Sequence, residues 1–174
     1  MIQDFNIAGQ GVSPELLVQL FEEVESFRCL KIETNLPGPK FSTMLEKTGG
    51  RLNVLGGWSI TQYIEGLDRG VHGMVPTCMH EIYCKIDSLY RTGHRELACK
   101  LYQRIQPIIV YSNQAVDISL RFYKRMLWRM GIFETPNLRV KTIDFDPYYQ
   151  RIADDMIDLY FEVSKDVRAG LYDV

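Results

Sequence analysis

No run in the 174-residue chain approaches the about 18 consecutive apolar residues that cross a bilayer, so no membrane span is expected. The N-terminus, MIQDFNIAGQG, has neither a basic n-region nor an apolar h-region, and a cleaved secretory signal is not expected. Basic residues form no long run, and 20 Lys and Arg against 22 Asp and Glu leave a net charge of -2. That balance offers nucleic acid no electrostatic footprint. Cys29, Cys78, Cys84 and Cys99 form no CxxC pair, and Cys78 and Cys84 have no second pair to match them. His72, His80 and His94 have no HxxxH partner, so no metal site is expected and the histidines read as structural or surface groups. The cysteines read as reduced thiols in a cytoplasmic protein. Ser13, Ser42 and Ser59 lack a nucleophile elbow, which argues against a serine hydrolase. The length suits one domain but falls short of the about 250 residues of a whole (β/α)₈ barrel.

What is present is an alternation of short apolar runs and amphipathic stretches. A strand is expected at 2–5, then a helix opened by Ser13-Pro14-Glu15, with Leu16, Leu17, Leu20, Phe21 and Val24 on its apolar face. Strands are further expected at 27–33, 52–55 and 71–75, and helices at 40–47 and 60–67. Repeated β-then-α units predict an α/β fold with a parallel sheet. From residue 79 onward only helices are expected, at 81–90, 95–110, 116–130 and 148–167. Residues 1–77 thus read as β/α units and 78–174 as the helix that completes the last unit followed by a C-terminal helical extension, within one domain. The aromatic residues of the helical part read as packing or interface groups.

Lys31 and Glu33 carry the sharpest chemical signal. Alternation along a strand points both to one face, with Leu30 and Ile32 on the other. Two opposite charges on a covered sheet are costly unless paired, exposed or used. A lysine in a desolvated pocket loses its proton more readily and can form a Schiff base with a carbonyl compound, with a neighbouring glutamate as base. A salt-bridged pair on an edge strand satisfies the same pattern. Gly56-Gly57 and Gly73, at strand ends, permit close backbone approach by a ligand, and turn geometry or helix packing explains them equally well.

In order and spacing, Lys31 on a strand, then LNVLGG, then RGVHGMVPT, then helices ending near LWRMGIFETPNLR resemble the dihydrodipicolinate synthase/N-acetylneuraminate lyase family. The resemblance implies the C-terminal half of a (β/α)₈ barrel, strands 5–8, followed by a helical region. It also implies a lyase whose Lys31 forms an imine with pyruvate or another 2-oxo acid, with no metal or cofactor. Gly56 and Gly57 would lie at the substrate pocket, and Val75 would offer backbone contact. Gln3 stands at the position of the family's catalytic tyrosine, and no tyrosine precedes Tyr63. The family's carboxylate-binding arginine falls at Ala8. Lys31-Ile32-Glu33 resembles the 2-keto-3-deoxy sugar acid dehydratase branch, where the glutamate assists proton transfer. The first four β/α units have no counterpart here, so a missing half and a homo-oligomer, dimer or tetramer, are the partners implied. The alternative is a catalytically silent fragment or pseudoenzyme that acts only through oligomeric association.

Overall fold

The computed structural model describes residues 1–58, 61–140 and 142–174, in two compact units, 1–76 and 77–174. In the first unit four strands, β1 (Ile2–Asn6), β2 (Cys29–Thr34), β3 (Asn53–Gly56) and β4 (Gly73–Met74), form one sheet in sequence order, every pair parallel. The register sets Gln3 beside Lys31 and Lys31 beside Leu55, with Leu55 beside Gly73. Helices α1 (Pro14–Glu23), α2 (Pro37–Lys47) and α3 (Tyr63–Asp68) connect successive strands. Consecutive parallel strands joined by helices are the repeating unit of a (β/α)₈ barrel, present four strands deep. β1 and β4 are its edge strands, and β2 is central rather than an edge.

One face of the sheet is covered. Leu30, Ile32 and Val54 meet Leu17 and Phe21 of α1 and Phe41 and Met44 of α2 in a buried core. Ser13 caps α1 as its sequence predicts, accepting from the Leu16 N–H at 3.3 Å. α2 begins three residues before its expected start, at Pro37 rather than Lys40. The turn-like NLPGP segment holds two prolines where a helix needs no N–H donor, so Pro37 and Pro39 initiate the helix instead of delaying it. Leu36, the residue before it, takes a left-handed conformation at φ 50°. Strand β4 is shorter than the expected 71–75, and Ile60 and Ser59 lie outside the described residues.

The second unit holds α4 (His80–Arg91), α5 (Arg95–Ser112), α6 (Val116–Arg129) and α7 (Pro147–Arg168). α5 packs against the other three, and Ile86, Leu101, Ile105, Phe122, Ile157 and Tyr160 are fully buried. Asp146 caps α7 by accepting from the N–H groups of Tyr148 and Tyr149. Glu81 of α4 accepts from the Tyr160 hydroxyl at 2.6 Å and the Ser164 hydroxyl at 2.8 Å. No helix among the described residues is long and apolar enough to cross a membrane.

Candidate functional site

The sheet face opposite the helices carries Gln3, Phe5, Lys31, Glu33 and Leu55, because residues two apart share a face. Lys31 Nζ lies 3.1 Å from Glu33 Oε1, with side-chain exposures of 15% and 8%. The other Glu33 oxygen accepts from the Gln3 side-chain amide, and Oε1 also accepts from the Trp58 N–H at 2.7 Å. Burial alone would push the Glu33 carboxyl up, but the donors Gln3, Trp58 and Lys31 outweigh it and hold the group below its ordinary 4.5. Glu33 therefore carries its charge on a desolvated face, oriented by three donors, with the ammonium of Lys31 within reach for proton exchange.

Trp58, at the carboxyl end of β3, reaches Glu33 through a left-handed backbone, φ 52°. For a bulky residue that conformation is a strained one, and such outliers concentrate at sites that do something with them. Its ring also lies 6.1 Å from that of Phe5, centroid to centroid. No feature of the local sequence announces a tryptophan at positive φ, so this contact was not readable in advance.

The glycines divide differently from the expectation. A side chain on Gly56 would strike Met74 Sδ at 2.3 Å and Phe41 at 3.3 Å, so Gly56 turns toward the helix-covered core and not toward Lys31. The physical reason is alternation: Gly56 shares its face with Val54, and Val54 with the core. Gly57 is the glycine on the other side, where an added Cβ would lie 2.2 Å from Glu33 Oε1. Gly57 is thus the space into which the Glu33 carboxylate fits. Val75 is exposed, and its N–H is engaged by the Gly56 carbonyl at 3.0 Å. Gln3, expected at the substrate pocket, donates its side-chain amide to Glu33.

A second buried pair sits on the covered face. Lys40 of α2 binds Asp4 of β1 and donates to the carbonyls of Gln10, at 2.8 Å, and Val12. Asp4 also accepts from the Val12 N–H at 3.0 Å. Gly11, at φ 67°, leaves the space that Asp4 fills. The signal that could have found this lock is an aspartate at the strand position that shares the core face with Ile2. Among the described residues no group of three or more His, Cys, Asp or Glu is arranged to hold a metal ion, and all four cysteines are free thiols.

No protein-family model and no curated protein matches the chain. Solved structures do. The dihydrodipicolinate synthase of Rhodopseudomonas palustris superposes with a TM-score of 0.81 at 21% sequence identity, over 90% of this chain and 54% of that one. The 4-hydroxy-tetrahydrodipicolinate synthase of the thermoacidophilic methanotroph Methylacidiphilum fumariolicum SolV gives 0.75 at 18%, over 95% and 55%. The chain has the fold of a little over half of those enzymes, four β/α units with the helices that follow.

Proposed function

We propose that the chain is part of a lyase of the dihydrodipicolinate synthase type, in which Lys31 forms a Schiff base with a 2-oxo acid. The observation that carries this reading is the Lys31–Glu33 pair on the face of the sheet opposite α1 and α2, in a fold shared with two such synthases. Glu33 accepts the proton that the Lys31 ammonium must lose. The amine then attacks the keto carbon, and return of protons to the former carbonyl oxygen releases it as water and leaves the imine. The imine draws electrons from the adjacent carbon, and Glu33 is placed to take or return a proton during cleavage, condensation or dehydration. A 2-keto-3-deoxy sugar acid fits the dehydration branch and pyruvate the aldol branch. Gly57 leaves the carboxylate its place, and Gln3 and Trp58 orient it.

Completion of the barrel belongs to the same proposal. β1 and β4 are open edges, Phe5 is half exposed on the uncovered face, and the chain spans 54% and 55% of the two matched structures. Four further β/α units, pairing with those edges, would close the sheet and bury that face.

Borohydride reduction in the presence of pyruvate, read by intact-mass spectrometry, tests the chemistry. The expected result is one covalent adduct, lost in Lys31→Ala; an adduct that persists in Lys31→Ala refutes the assignment. Gln3 in place of an acid–base group favours a second reading, a silent domain acting through association. No adduct with or without added N-terminal β/α units, together with a defined dimer or tetramer in sedimentation, would establish that reading instead.

A further inference from the structure

In the second unit, α6 and the irregular segment after it enclose a cavity of about 450 Å³, within the size range of small-molecule sites. Phe133 meets Lys124 and Thr142 meets Arg121, so the segment runs back along the helix that it follows. The helix has two apolar faces. Ile118, Phe122 and Met126, four apart, are buried in the core of the unit. Leu120, Tyr123 and Leu127 form a second stripe that lines the cavity, and Phe133, Leu138 and Val140 supply the wall opposite. Leu120, Phe133 and Val140 are nonetheless exposed. Single apolar side chains at a surface need no account, but three around one hollow mark a surface made for contact.

The charge around the hollow has one sign. Lys124 and Arg139 are in its wall, and no Asp or Glu is among the described wall residues. Arg121, beside them, donates to the Thr142 hydroxyl at 2.9 Å and to the Ile143 carbonyl, both neutral. None of these three cations has a carboxylate partner among the described residues, whereas Arg125 and Arg129 of the same helix meet Asp154 and Asp158 of α7. Lys124 Nζ instead lies 4.2 Å from the centre of the Phe133 ring, a contact that leaves its N–H donors free for an acceptor. An apolar hollow bordered by cations without counter-charges is the complement of an amphiphilic anion.

We infer that this cavity binds a small amphiphilic carboxylate, a medium-chain monocarboxylic acid of about eight carbons, its head met by Lys124 and Arg139 and its alkyl chain by Leu120, Leu127 and Leu138. Octanoate is the probe; it has no keto carbon and cannot form an imine with Lys31. Saturable binding is expected in calorimetry, with NMR shifts in the methyl groups of Leu127 and Leu138 and none in those of Leu30 and Val54. Octan-1-ol keeps the chain without the charge, and should bind about tenfold more weakly than octanoate. Lys124→Met keeps the length of the side chain and a good helix former, and should weaken octanoate by about the same factor. Arg139→Gln repeats the test on an exposed, non-helical residue where folding is not at stake. Lys31→Ala should bind octanoate as the parent does, which separates this site from the Schiff-base reading. The inference is overturned if octanoate gives no saturable response or shifts only residues outside the cavity. It is overturned equally if octan-1-ol binds as tightly, or if Lys124→Met and Arg139→Gln both bind octanoate unchanged.

Discussion

Two buried lysine–carboxylate pairs sit on opposite faces of one sheet, and burial does not tell them apart. Lys40 and Asp4 are 7% and 2% exposed, Lys31 and Glu33 15% and 8%. What differs is how fully the ammonium is used. Lys40 has three donors and three acceptors, one carboxylate and two loop carbonyls, so nothing remains for another molecule. Lys31 has Glu33 as its one partner among the described residues. A saturated buried pair locks a loop; an unsaturated one retains capacity for chemistry. The covered pair fastens residues 10–12, after β1, to α2, while the uncovered pair faces the side where a barrel keeps its interior.

The largest expected effect follows from that difference. Asp4→Asn strands the Lys40 ammonium in the core and should cost about 3–5 kcal/mol, a large part of the stability of a small domain. Lys31→Met leaves Glu33 its bonds from Gln3 and Trp58, and should cost about 1 kcal/mol or less while abolishing borohydride trapping. Urea unfolding followed through Trp58, with Trp128 replaced by Phe, measures both. Equal losses in the two variants would break the distinction.

The glycines sharpen it at a smaller scale. Gly57→Ala sets a methyl group where Glu33 Oε1 lies, and the carboxylate can yield only by leaving Trp58, Gln3 or Lys31. A loss of about 1–3 kcal/mol, the usual cost of overpacking, is expected along with weaker trapping by pyruvate. Gly73→Ala, on the same side of the sheet, meets only Leu55 at 3.6 Å and should stay within about 0.5 kcal/mol. If thermal melts place the two variants together, Gly57 is not the seat of the Glu33 carboxylate.

Much of this arrangement could be read from the chain before any coordinates. Period-two alternation in Leu30-Lys31-Ile32-Glu33 separates charge from core without knowledge of the neighbours, and the structure retains that separation. Repeated β-then-α punctuation likewise gives a parallel sheet, because helical crossovers leave few other arrangements. The failures share one cause: each depends on a contact between distant residues or on an exact register. Asp4 and Lys40 are 36 positions apart, and only the folded sheet shows that the strand residue meets the helix residue. Gly56 and Gly57 are adjacent, so an uncertainty of one position in β3 exchanges the core glycine for the site glycine. Trp58 reaches Glu33 only through a backbone angle that its residue type disfavours. The prolines misled for another reason: a pair that reads as a turn serves equally as the donor-free start of a helix.

The finest test concerns which partner governs Glu33. Its carboxyl titrates below the ordinary 4.5 although burial opposes this; the Gln3 amide is the largest single effect against burial, the Trp58 N–H follows, and Lys31 acts both through a hydrogen bond and through its charge. A group whose folded value is lowered contributes stability above its unfolded value and loses that contribution as pH falls through the folded one. Stability should therefore decline in acid below about pH 4.5, less steeply in Glu33→Gln than in the parent. Carbon-detected NMR titration of Glu33 gives the order of its partners directly. Gln3→Leu and Lys31→Met should each raise the Glu33 midpoint, the first by removing the largest single effect that opposes burial, the second by removing a hydrogen bond and a charge together. A larger rise in Gln3→Leu would mean that the carboxylate is held in place by neutral donors, leaving the lysine free to exchange a proton with it. The reverse order would make the pair a salt bridge first, and would place it with Asp4 and Lys40 rather than opposite them.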